Sequence, residues 1–69
     1  MKEFKLEGEE FIPLCDLMKA SYMTSTGGEA KHIIAEGKVT VDGQVELRKR
    51  CKIRSGQVIE YKGNKVKVI

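Results

Sequence analysis

Thiol, imidazole and indole groups are scarce in this chain of 69 residues, which holds two cysteines, one histidine and no tryptophan. Two cysteines cannot make a disulfide framework, so Cys15 and Cys51 read as small buried thiols in a reducing compartment. Together with His32 they stand at long spacings that match no zinc signature, and His32 has no second histidine to work with. No metal, cofactor or catalytic residue is expected. No apolar run approaches the ~20 residues that a membrane helix needs, and the N-terminal MKEFKLEGEEF lacks the apolar centre of a signal peptide. A cytoplasmic location without a membrane partner is the expectation. The length suits one domain over residues 1–69, which hides only about 60% of its unfolded surface and leaves little room for a large internal active site.

Charge is abundant and unevenly placed. Residues 1–30 carry three lysines against six carboxylates, net −3, whereas residues 31–69 carry ten Lys or Arg against four carboxylates, net +6. Cations clustered in one half attract polyanions in a way that a balanced surface does not.

The stretch EAKHIIAEGKVTVDG, residues 29–43, combines two periodicities. Ala30, Ile33 and Ile34 recur at helical spacing, Gly37 suits the left-handed position past the helix, and Val39 and Val41 alternate as in a strand before the turn pair Asp42-Gly43. Thr26 reads as the N-cap, with Glu29 at capping-box spacing. Upstream, Phe4 and Leu6 share one side of a short strand from Glu3 to Glu7. Pro13 suits the first turn of a helix whose core stripe is Leu14, Leu17, Met18 and Tyr22. Downstream, Asp42-Gly43, Ser55-Gly56 and Gly63-Asn64 separate strands, and Gln57–Tyr61 with Lys65–Ile69 make a hairpin with Val66 and Val68 facing in. The expected fold is α+β, two short helices packed on a small, mostly antiparallel sheet.

Residues 48–54 read RKRCKIR. Extended, this segment would direct Arg48, Arg50, Lys52 and Arg54 one way and Lys49, Cys51 and Ile53 the other, with Cys51 and Ile53 as anchors in the core. Lys31 and Lys38 lie on the polar face of the helix–glycine–strand unit and extend the basic surface. Free amides at the second helix N-terminus add a candidate phosphate contact around Thr26, although the segment lacks the Lys and Ser/Thr of a Walker loop.

The pattern AKHIIAEGKVTVDG, followed by IRSGQVI, resembles the S-four (alpha-L) RNA-binding domain family, and CDL with ExRKRCKI resembles its small stand-alone YbcJ-like members. The resemblance implies an RNA-binding module that acts in translation or ribosome-related processes and recognises structured RNA, ribosomal or transfer. Thr26, Lys31, Lys38, Arg48, Lys49, Arg50, Lys52 and Arg54 are the expected contacts. Many members carry an Arg near the start of the second helix where this chain has Gly27, so the Arg48–Arg54 cluster is expected to take a larger share of binding. The partner is then structured RNA, in the setting of a ribosome or ribonucleoprotein, bound by a monomer. Of the aromatics Phe4, Phe11, Tyr22 and Tyr61, three fit the core pattern. Stacking on splayed bases is therefore poorly supplied, and about five phosphate contacts would give a salt slope near −3.5. The alternative is a protein-interaction adaptor that docks an acidic partner on the same basic arm.

Overall fold

The second helix begins and ends where its own residues dictate. Thr26 is extended (φ −139°, ψ 160°), and its Oγ1 accepts the Glu29 N–H at 3.1 Å. The Glu29 carboxylate in turn accepts the Ser25 N–H at 2.8 Å, a reciprocal cap displaced by one residue from the usual box. The helix then runs Gly27–Ala35. At its far end Gly37 N–H donates to Ile34 C=O at 3.0 Å and Lys38 N–H to Ile33 C=O at 3.4 Å, with Gly37 at φ +77°. This is the Schellman closure, which needs a left-handed residue.

A computed structural model describes all residues, 1–69. The chain order is β1 (Lys2–Phe4), β2 (Ile12–Pro13), α1 (Leu14–Ala20), α2 (Gly27–Ala35), β3 (Thr40–Val41), β4 (Gln44–Val45), β5 (Lys52–Ile53), β6 (Val58–Tyr61) and β7 (Asn64–Val68). Five strands form one sheet in the order β1-β7-β6-β3-β4, all antiparallel except the parallel pair β1 and β7. A separate two-stranded ribbon joins β2 to β5, with Ile12 opposite Ile53 and Pro13 opposite Lys52. Both tight hairpins have two central residues at positive φ, Asp42-Gly43 (51°, 85°) and Lys62-Gly63 (50°, 79°). That is the turn whose twist matches paired strands.

One apolar cluster joins these layers. Leu14, Leu17 and Met18 of α1 meet Ala30, Ile33 and Ile34 of α2 over Val39, Ile53, Ile59, Val66 and Val68, all buried. Each such aliphatic side chain contributes roughly 1.5–3 kcal/mol, and the expected two-helix, mostly antiparallel architecture is the result.

Several local expectations give way. The first strand is Lys2–Phe4, not Glu3 to Glu7, and the chain leaves it before Leu6. Pro13 precedes α1 as its N-cap (φ −59°, ψ 141°) and pairs in β2, so it lies outside the first turn. Tyr22 leaves the core stripe because α1 stops at Ala20, and it lies 88% exposed. The last hairpin turns at Lys62-Gly63, one residue earlier than Gly63-Asn64. Residues 48–54 are not one extended strand: only Lys52–Ile53 pair, and the segment before them is a turn.

Candidate nucleic-acid interface

The turn at Arg48–Cys51 is closed by the Cys51 N–H donating to Arg48 C=O at 3.2 Å. Two of its other carbonyls are claimed from far away in sequence. A helix N-terminus carries N–H groups with no intrahelical partner, and Pro13 offers α1 no side-chain cap. Instead Leu14 N–H donates to Cys51 C=O at 2.8 Å and Cys15 N–H to Lys49 C=O at 3.1 Å. The basic turn is thus the cap of α1, held on its other flank by the β2–β5 ribbon and below by Ile53, which is fully buried. Its backbone is anchored on both flanks while its Arg and Lys side chains are exposed. Arg48, Arg50, Cys51 and Lys52 line an open cleft of about 490 Å³.

The cations on this turn are not equivalent. Arg48 is engaged in a two-pronged ion pair with Glu46, Nε to Oε2 at 2.9 Å and Nη2 to Oε1 at 3.1 Å, and its backbone N–H also donates to Oε2 at 2.9 Å. These bonds hold the Glu46 carboxyl down at about 2 and raise the Arg48 pKa. Burial, reinforced by the nearby Glu46 carboxylate, pushes the Cys51 thiol up, so it stays protonated near neutrality. By contrast, Lys49, Arg50 and Lys52 are exposed and have no carboxylate within 4.0 Å. Arg54 reaches Glu10 only at 4.0 Å. Lys52 and Arg54 instead sit 5.0 and 5.8 Å from the centre of the Phe11 ring, an attraction that leaves their heads available to solvent.

Of the eight residues expected from sequence, five therefore gather at one place: Arg48, Lys49, Arg50, Lys52 and Arg54. Lys38 adjoins them, because Glu46 N–H donates to Val39 C=O at 3.0 Å beside it. Its ammonium, however, is paired with Glu36 at 3.3 Å, and Glu36 also meets His32 at 3.2 Å. Lys31 is half-buried midway along α2. Thr26 lies at the opposite end of α2 from Lys38, about 13 Å away along a nine-residue helix, and its hydroxyl oxygen is engaged as the cap. The amides of Gly27 and Gly28 beside it precede the first intrahelical bond, from Ala30 N–H to Thr26 C=O.

Sequence reasoning missed two participants. Glu46 neutralises Arg48, a pairing for which the two-residue separation was the available clue. Phe11 supports Lys52 and Arg54 across more than 40 positions, and no local pattern signals that. Gln57 bridges two turns: its Oε1 accepts the Arg54 N–H at 2.8 Å, and its Nε2 donates to Asp42 at 3.4 Å.

Known proteins resemble this chain along nearly its whole length. The model of the S4 domain matches residues 4–69. YbcJ of Escherichia coli is 46% identical over 69 residues, covering 100% of this chain and 99% of that protein, and YbcJ of Shigella flexneri gives the same figures. The solution structure of Escherichia coli YbcJ, described as revealing an alphaL motif involved in RNA binding, superposes with a TM-score of 0.78. It matches 100% of this chain and 87% of that one.

Proposed function

The chain belongs to the S4 domain family, and from that membership we propose that it is an RNA-binding module that grips structured RNA, ribosomal or transfer, in translation or ribosome-related processes. The observation that carries this reading is the turn of Lys49, Arg50 and Lys52. These three exposed cations have no internal carboxylate partner and stand on a backbone that α1 holds in place. Internal carboxylates already occupy Arg48 and Lys38. Unpaired, clustered cations favour an external polyanion, and phosphate contacts release counterions when they form. Arg48, Lys31, Lys38, Arg54 and the Thr26 end of α2 are secondary contacts in this scheme. Three fixed phosphate contacts give a log–log salt slope of about −2, which steepens toward −3.5 as Lys31 and Arg54 join.

Amide chemical-shift mapping with an RNA hairpin, duplex DNA and an acidic peptide tests the assignment. The hairpin should shift Arg48–Arg54 and the Lys38 corner, and the double variant Arg50→Glu/Lys52→Glu should abolish those shifts without loss of fold. A hairpin that leaves the turn unmoved while the peptide shifts it would replace this proposal with the acidic-partner adaptor.

A further inference from the structure

Tyr22 occupies a position whose backbone favours glycine. Past the end of α1, Tyr22 N–H donates to Lys19 C=O at 3.1 Å and Met23 N–H to Met18 C=O at 2.9 Å. This is the same closure that Gly37 provides for α2, and it places the residue after the cap in the left-handed region. Tyr22 is there at φ +61°, a conformation that is strained for a bulky L-residue. Packing does not offset the strain, since the residue is 88% exposed. A side chain that is strained and unburied contributes little to folding, and such outliers gather at binding sites.

The surroundings of the ring are polar and carry both signs of charge, Lys2 and Lys19 against Asp16 and Glu29. Lys2 Nζ donates to Ser21 C=O at 3.1 Å and lies 5.8 Å from the ring centre. Lys19 and Tyr22 together border two shallow clefts, one running over Met23, Thr24 and Ser25 to Glu29, the other over Ala20 to Asp16. The Glu29 carboxylate already accepts the Ser25 N–H. This corner leads directly into the Thr26 cap, and the basic turn lies at the other end of α1, about 10 Å away along seven residues.

We propose that Tyr22 is a stacking platform for an unpaired nucleobase, with Lys2 and Lys19 holding the adjoining phosphate. The proposal rests on the RNA-binding reading and extends it: RNA engaged by the basic turn sends a single-stranded flank along α1 onto the Tyr22 ring. An aromatic face needs no sequence match, because every base presents a flat surface to it. A protein partner would be expected to bury the ring within an apolar patch, and beside Tyr22 the clefts offer only Met23 and Ala20 among Asp16, Lys19, Thr24, Ser25 and Glu29.

The test compares hairpins carrying a three-nucleotide 5′ or 3′ overhang with the blunt hairpin, using wild type, Tyr22→Phe and Tyr22→Gly. Binding is read by titration and by tyrosine fluorescence. The chain has no tryptophan, and its other tyrosine, Tyr61, is buried, so quenching reports on Tyr22. Wild type should prefer one overhang hairpin about tenfold, with quenching, and Tyr22→Phe should keep that preference. Tyr22→Gly should lose it while binding the blunt hairpin as well as wild type and melting at or above the wild-type temperature. An unchanged preference in Tyr22→Gly, no preference in wild type, or a lower melting temperature with weaker blunt binding would each overturn the platform and leave the basic turn standing. Wild type that binds neither hairpin overturns the RNA reading as well, and quenching by an acidic peptide alone would assign the ring to a protein partner.

Discussion

Glu46 shows how one carboxylate sets the character of the basic turn. Its pKa, about 2, lies below the ordinary 4.5 because Arg48 bonds it three times. A depressed carboxyl stabilises the folded state above its unfolded pKa, and that contribution is lost as pH falls from about 4.5 to about 2. Glu46→Gln should therefore lower the urea midpoint at pH 6, and the difference from wild type should shrink toward pH 2. The carboxyl carbon of Glu46, followed by NMR, should titrate near the lower value. The same substitution releases Arg48 for phosphate, so RNA affinity at low salt should rise and the salt slope should steepen by about 0.7. An unchanged slope would mean that Arg48 already meets RNA while bound to Glu46.

Among the elements, α2 depends most visibly on its two ends. Thr26→Ala removes the Oγ1 that accepts the Glu29 N–H and should cost about 1 kcal/mol, while Thr26→Ser should restore it. Gly37→Ala isolates backbone conformation, since an added Cβ would meet Leu47 and Val45 only at 3.7 and 3.8 Å, an ordinary contact. The φ of +77° alone should then cost roughly 1 kcal/mol. In a domain of this size each loss lowers the melting temperature by about 4–8 °C, which calorimetry resolves. These ends were legible in advance because a cap involves residues three or four apart. The end of α1 was not, since its left-handed position carries Tyr22 and no glycine announces it.

For the whole molecule, stability rests on one small core. A chain of this length has roughly 3–10 kcal/mol of net stability, so Ile34→Ala, which removes fully buried methyls beneath both helices, should cost roughly 2–4 kcal/mol and unfold a substantial share at moderate urea. Ile53→Ala should cost a similar amount and also loosen the basic turn, weakening RNA binding beyond the unfolded fraction. Arg50→Glu/Lys52→Glu, on exposed positions, should instead abolish binding with the urea midpoint almost unmoved. Equal effects of the core and surface variants on the midpoint would contradict this separation of scaffold from binding face.

The amino-acid sequence by itself determined the features whose partners are close along the chain. It set the Thr26 cap, the Gly37 stop, the Asp42-Gly43 turn, the inward Val66 and Val68, and the accumulation of cations after residue 30. Tertiary structure decided what those cations do. The carbonyls of Lys49 and Cys51 bend into a turn because the uncapped amides of Leu14 and Cys15, more than 30 positions earlier, need acceptors. Lys52 and Arg54 are placed over Phe11 by the β2–β5 pairing. The parallel docking of β1 on β7 likewise depends on where the chain returns to itself, because a buried polar backbone takes the nearest partner in space, whatever its distance in sequence.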